Sequence, residues 1–240
     1  LQLEFSSLRP DVFLIDFEGH APVLFREGEA AAHGFFFDLR GQGNAPPQPR
    51  KMPGQPGLEA FPIDRGHYAR AFRFVQGHIR HGNSYLLNLA FPTPIRTAWD
   101  LGTIFHYARA PYKLHYKNFV VFSPESFVRT ANGQIVSFPM KGTRDATAPQ
   151  AAQALLADKK ELWEHHTIVD LIRNDLSQVA TKVRVPRFRY LEKINTQRGA
   201  LWQTSSEIRG NLPAGWQSRL GPIVQRLLPA GSISGAPKAK

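Results

Sequence analysis

Apolar and polar positions along this chain recur with two different periods, and the changes of period mark its elements. VFLIDF (Val12–Phe17), PVLF (Pro22–Phe25) and FFFDL (Phe35–Leu39) are short apolar runs separated by Glu-Gly and His-Gly turn signals, which predicts strands. Glycine and proline crowd residues 41–57, which predicts a mobile loop. Tyr68, Phe72, Val75 and Ile79 then recur at three- and four-residue steps and Gly82 follows them, as in a helix and its stop. SYLLNLAFPTPI (Ser84–Ile95) reads as a buried strand closed by Pro92, and residues 101–108 as a short helix. Between Asn118 and Thr143 two apolar segments flank Asn132-Gly133. That dipeptide accepts positive φ in a tight turn, so the stretch is expected to form one hairpin.

A single long helix is expected from about Pro149 to Gln178, with Leu155, Leu162, Ile168, Leu171, Ile172 and Val179 in its apolar stripe. KVRVPRFRYLEKI (Lys182–Ile194) and ALWQTSSEIRG (Ala200–Gly210) read as strands, the first interrupted at Pro186. A last helix covers about Trp216–Leu228, and LLPAGSISGAPKAK reads as a loop of small residues. No internal repeat is visible. The order predicts an α+β fold of antiparallel sheets with helices packed outside, taken as a single domain over residues 1–240.

Composition narrows the classes. A chain of 240 residues that is 42% hydrophobic and 20% charged has a soluble, globular balance. No apolar run approaches the ~18 residues of a membrane span. LQLEFSSLRPD lacks a basic region followed by an apolar core, so no signal peptide is expected. There is no cysteine, which excludes disulfides, zinc-thiolate sites and Cys nucleophiles and suits a cytoplasmic protein. The net charge of +11 fits nucleic acid, a membrane surface or a small anionic substrate. Arginines are spread singly, with no block of like charge and no nucleic-acid motif, so no nucleic-acid or membrane partner is expected.

Four stretches carry candidate chemistry. In FSPESF, Glu125 is a solvated strand-end carboxylate, or a neighbour of Lys141 if the hairpin register allows. In FPMKGT, Lys141 ends an apolar strand beside Gly142, Thr143 and Arg144. It reads as a surface cation, or as a partly desolvated amine able to act as nucleophile or base. In KKELWEHHTIVDLIRNDL, Glu164 leads the face shared by Thr167, Ile168 and Leu171, where a hard cation would justify a carboxylate. His165 and His166 diverge by ~100° on a helix, so they read as polar-face or capping residues rather than a metal pair. Asp170, Arg173, Asn174 and Asp175 read as a hydrogen-bond network at the helix end. In AGSISGAPK, small residues and successive N–H groups form an anion cradle or simply a flexible loop; the P-loop spacing is absent.

Together, and in this order, the four stretches resemble the signatures of the chorismate-utilising enzymes. SPESF is similar to the family's Ser-Pro-Glu-Arg-Phe, PMKGT to Pro-Ile-Lys-Gly-Thr, EHHTIVDLIRNDL to its helix signature, and LLPAGSISGAPK to Pro-x-Gly-Ser-Ile-Thr-Gly-Ala-Pro-Lys. The resemblance covers about residues 60–240. It is strongest to the aminodeoxychorismate synthase component I branch, because anthranilate synthases usually carry alanine where Lys141 stands. It implies that chorismate and ammonia give 4-amino-4-deoxychorismate on the way to 4-aminobenzoate and folate. Lys141 would be the nucleophile at ring carbon 2 and Glu125 the general acid for the 4-hydroxyl. Glu164 would be a Mg²⁺ ligand, and Thr143, Gly231, Ser232, Ser234 and Gly235 would line the substrate site. A glutamine amidotransferase partner would supply ammonia. The alternatives are another chorismate enzyme (anthranilate, isochorismate or salicylate synthase) or a non-catalytic binding fragment.

Two departures from the family pattern stand out. Gln203 occupies a slot where the family often has histidine; glutamine donates a hydrogen bond but is no acid or base near neutral pH. The family pattern also continues past Lys240, with the second Mg²⁺ carboxylate and an arginine for the enolpyruvyl carboxylate. The C-terminal part is therefore expected to be missing, and the 240 residues alone are expected to be inactive.

Overall fold

The computed structural model describes residues 11–47, 54–196 and 199–235. In chain order, strands β1 (Asp11–Leu14) and β2 (Val23–Arg26) form a ribbon, followed by the single turn α1 (Glu27–Ala30), β3 (Phe35–Leu39) and β4 (Gln42–Gly43). Next come β5 (Glu59–Ala60), helix α2 (Arg65–Arg80), β6 (Ile95–Arg96), helix α3 (Leu101–Tyr107), β7 (Tyr112–Tyr116) and β8 (Phe119–Ser123). Then follow β9 (Arg129–Ala131), β10 (Gln134–Ser137), β11 (Met140–Asp145), helices α4 (Ala151–Ala157) and α5 (Lys159–Ser177), and the long strands β12 (Thr181–Thr196) and β13 (Gly199–Asn211). Helices α6 (Leu220–Leu227) and α7 (Gly231–Ser234) complete the described residues.

The expected α+β class holds. All described pairings are antiparallel, in a four-stranded sheet ordered β4-β3-β7-β8, a five-stranded sheet around β13, and two ribbons. Each large sheet has its own core. Phe35, Phe37 and Tyr116 are buried under Val12, Leu14, Val23 and Phe25 of the β1–β2 ribbon. Ile135 and Ile208 of the other sheet are buried with Ile168, Ile172 and Leu176 of α5 and Ile223 and Leu227 of α6. Each such side chain contributes roughly 1.5–3 kcal/mol by leaving water.

Strand β13 organises the site. Its first half pairs with β11, its second half with β10, and β12 runs along its other edge. Thr204, Ser206 and Ile208 alternate onto one face, and α5 packs against this sheet. Ser206 Oγ accepts the Arg189 N–H at 2.8 Å and lies 2.6 Å from His165 Nε2, while Ser206 N–H donates to Pro139 O at 3.0 Å.

The structure corrects several expected elements. Only Arg129–Ala131 and Gln134–Ser137 flank the Asn132-Gly133 turn, whose φ values are 50° and 70°. The preceding apolar run, Phe119–Ser123, instead pairs with Tyr112–Tyr116 in the other sheet, because Lys117 at φ 50° turns the chain there. The expected long helix breaks at Asp158, whose extended backbone ends α4 and whose side chain caps α5 by accepting Glu161 N–H. In Ser84–Ile95 only Leu86 (a single bridge) and Ile95 take strand pairing; Pro92 and Pro94 lack the N–H a ladder needs. The interruption at Pro186 takes the form of register shifts in β12, which lets an edge strand accommodate proline. The final Gly/Ser loop contains the helical turn α7. Of the expected loop 41–57, Gln42 and Gly43 form β4, and residues 48–53 lie outside the described residues. No helix of the described residues is long and apolar enough to cross a membrane.

Arg189 is the side chain that holds α4 against β12. It is buried, and its guanidinium donates to Leu155 O at 2.8 Å, Leu156 O at 2.7 Å and Asp158 O at 3.4 Å, carbonyls clustered where α4 ends and α5 begins. Arg189→Ala is expected to cost about 2–4 kcal/mol in urea unfolding, since a charged donor is lost while the carbonyls it served stay behind. Arg96→Ala, which breaks an exposed pair with Glu59, is the control and is expected to cost under about 1 kcal/mol.

Candidate active site

Lys141 sits at a break in strand pairing. Its backbone lies opposite Thr204, whose hydroxyl donates to Lys141 O. The register then shifts, so that Thr143 rather than Gly142 faces Gln203. Such a bulge re-aims the side chains on either side of it. Gly142 has φ +76°, and a Cβ there would lie 3.0 Å from a Glu161 carboxylate oxygen and 3.1 Å from Leu155 Cδ1. Glycine is thus required twice over, by the dihedral and by the close approach of α4 and α5. Lys141 is half-buried and Thr143 exposed.

Glu125 reaches this region from the loop between β8 and β9, not from a hairpin arm. Ser123 shapes that loop: its hydroxyl donates to Glu125 O at 2.8 Å and accepts Glu125 N–H at 3.2 Å. Burial pushes the Glu125 carboxyl up to about 7, and the nearby Lys141 ammonium pulls in the opposite direction. Glu125 lines a cavity of about 220 Å³ with Ser126, Ser137, Ile172, Ser232 and Ile233. The acid and the lysine, placed apart by sequence, thus come within electrostatic reach.

The first turns of α5 carry Glu161 and Glu164, three residues apart. The Lys160 ammonium lies 3.4 Å from one and 2.8 Å from the other. Glu164 was expected from the sequence as a metal ligand; Glu161 was not, although the i, i+3 spacing was there to be read. Among the described residues no group of three or more acidic or histidine side chains is placed to hold a metal. Two carboxylates completed by water and substrate suit Mg²⁺, which takes hard oxygen donors and keeps several waters. The donor set therefore fits this ion in kind.

His165 departs from the expected polar-face position. It is fully buried, and burial, followed by the cations of Arg189, His166 and Lys141, lowers its pKa to about 4. It is a neutral strut between α5 and Ser206 rather than a cap. His166 is exposed and rests on the Phe188 ring. Asp170 and Arg173 form an exposed pair, whereas buried Asp175 accepts Gly231 N–H at 3.3 Å. That bond ties the helix signature to the Ser-Gly segment. Ser232 lines the cavity with Glu125, while the Ser234 hydroxyl donates to Ala230 O at 3.1 Å. The Gly235 backbone lies so close to Leu86 O that a Cβ would sit 2.2 Å from it. The Ala-Pro-Lys end of the motif lies outside the described residues.

Residues 25–240 match the sequence pattern of the chorismate binding enzymes. The chain belongs to that family. This chorismate-binding chain is 55% identical over 234 residues to a protein of Pasteurella multocida described as an uncharacterised PabA-like protein, covering 97% of the chain and 72% of the relative. It is 32% identical over 193 residues to aminodeoxychorismate synthase component 1 of Klebsiella aerogenes, covering 74% of the chain and 42% of that enzyme. It shares its fold with a Bacillus anthracis protein assigned as a 2,3-dihydroxybenzoate-specific isochorismate synthase, at TM-score 0.60 and 18% identity over 88% of the chain and 64% of the other.

Two measurements check this geometry. The folded chain holds a proton on Glu125 between its ordinary value of 4.5 and about 7, where the unfolded chain has lost it. Stability is therefore expected to fall as pH rises through that window, and Glu125→Gln to remove about 1–3 kcal/mol of the fall in denaturation curves at pH 5 and pH 8. Gly142→Ala is expected to cost about 1–3 kcal/mol in thermal unfolding, from the positive φ and the crowding at Glu161 and Leu155.

Proposed function

We propose that this chain carries the synthase chemistry of aminodeoxychorismate formation, joining ammonia to carbon 4 of chorismate with loss of water. The observation that carries this reading is a half-buried Glu125, within electrostatic reach of Lys141, that keeps its proton near neutral pH. A carboxylic acid held near 7 is matched to giving up a proton and taking one back.

Once its ammonium has given a proton to solvent water, the Lys141 Nζ adds to ring carbon 2, and the lysine takes a proton back from solvent when it is released at the end. The ring double bonds shift, and the carbon 4 hydroxyl leaves as water with the proton from Glu125. Ammonia then adds at carbon 4, the double bonds shift back, and the bond from carbon 2 to Lys141 breaks. The Glu125 carboxylate recovers its proton from the incoming nitrogen. One displacement is thereby divided into two easier steps. Ser232, Thr143 and the Gly231 and Gly235 backbone would line the substrate. Glu164 and Glu161 would hold Mg²⁺, which when bound supplies positive charge for the ring carboxylate. Ammonia would come from a separate amidotransferase subunit. The +11 charge of the chain favours approach of a dianion.

The test is product analysis by mass spectrometry on the full-length protein with chorismate and an ammonium salt. The expected product is 4-amino-4-deoxychorismate. Lys141→Ala is expected to lower its formation by about a thousandfold or more, and Glu125→Gln by about 10²–10⁴-fold. Anthranilate or isochorismate as the wild-type product, or a Lys141→Ala rate near wild type, would overturn the assignment.

A further inference from the structure

The segment Gly231–Gly235 is clamped from both sides, and one side of the clamp comes from far away in sequence. On the α5 side, Asp175 accepts Gly231 N–H, and a Cβ on Gly231 would meet Leu171 Cγ at 2.8 Å and Asp175 Oδ2 at 2.9 Å. On the other side runs the extended segment after α2. There the Asn88 amide nitrogen donates to Ser232 O at 3.1 Å and to Ile233 O at 2.7 Å. A side-chain amide has two such hydrogens, and both are used. A one-turn helix leaves these carbonyls without helical partners, so the turn has little to hold its shape by itself. Two residues earlier, Leu86 O lies against the Gly235 backbone.

We propose that Asn88 is a positioning residue for the substrate cavity, acting through the carbonyls of Ser232 and Ile233. Those two residues form the wall that shares the cavity with Glu125. Asn88 is exposed and is not part of that wall. It fixes the pitch of the turn from outside, so that Ser232 stays across from the acid. The proposal rests on the reading above for the identity of the substrate, a cyclic dicarboxylate.

Asn88→Asp keeps the shape and removes both donors, setting a carboxylate against two carbonyl oxygens; Asn88→Ala removes the group. Both are made in the full-length protein and compared with wild type in hydrogen exchange of the Ile233, Ser234 and Gly235 amides and in the kinetics of chorismate use. Protection of these amides is expected to fall about tenfold, and KM for chorismate to rise about tenfold, with kcat within about twofold and an unchanged melting temperature. Unchanged exchange overturns the proposal, as does altered exchange with an unchanged KM. A lowered melting temperature with kcat lost in proportion marks a general structural role and also overturns it. If wild type does not turn over chorismate, the functional reading fails, and the exchange comparison then decides the positioning role alone.

Discussion

The buried hydroxyl of Ser206 is the point on which the arrangement of this site depends. Through its side chain and backbone it joins four elements: β13 that carries it, β12 through Arg189 N–H, α5 through His165, and the start of β11 through Pro139 O. A polar group in so enclosed a place is costly unless its partners are in position, so it admits few other arrangements of these elements. Two residues beyond Pro139 comes Lys141, and one residue before His165 comes Glu164. The candidate positions are thus set by the register of this tie. The low pKa of His165 fits this role, since a charged imidazole beside Arg189 and Lys141 would repel both.

The candidate site is built from segments distant in sequence, and its carboxylates sit in two different environments. Glu125 must be withdrawn from water to keep its proton, and a loop between two sheets does this better than a strand end would. Glu161 and Glu164 lie on a more open helix turn beside Lys160. The Ser-Gly segment closes the acid's side of the cavity, held by Asp175 within the core and by Asn88 at the surface.

Much of this was legible in the sequence where a local rule decides the outcome. Asn132-Gly133 makes its tight turn because both residues tolerate positive φ. The strands around Phe35 and Ile208 follow from short apolar runs bounded by turn signals, and the four motifs point to the family that residues 25–240 match. What local rules did not decide was partnership. The apolar run in Phe119–Ser123 shows a strand but not which sheet it joins, and Lys117 diverts it to β7. The break at Asp158 was readable from an aspartate three residues before a glutamate, a capping pattern masked by the apolar stripe on either side. His165 was misplaced because the angle between adjacent helical residues says that the two histidines separate, not which of them goes inside. Asn88 gave no local signal, since its partners are 144 and 145 residues away.

Everything in this account turns on Glu125 as a half-buried acid in the field of Lys141. The most direct measurement is the titration of the Glu125 carboxyl by carbon-13 NMR, in the wild type and in Lys141→Met. Glu125 is expected to titrate near 7 in the wild type, and higher still in Lys141→Met, because the ammonium that favours its charged form is gone. A wild-type value at the ordinary 4.5, or one that Lys141→Met leaves unmoved, would contradict the account.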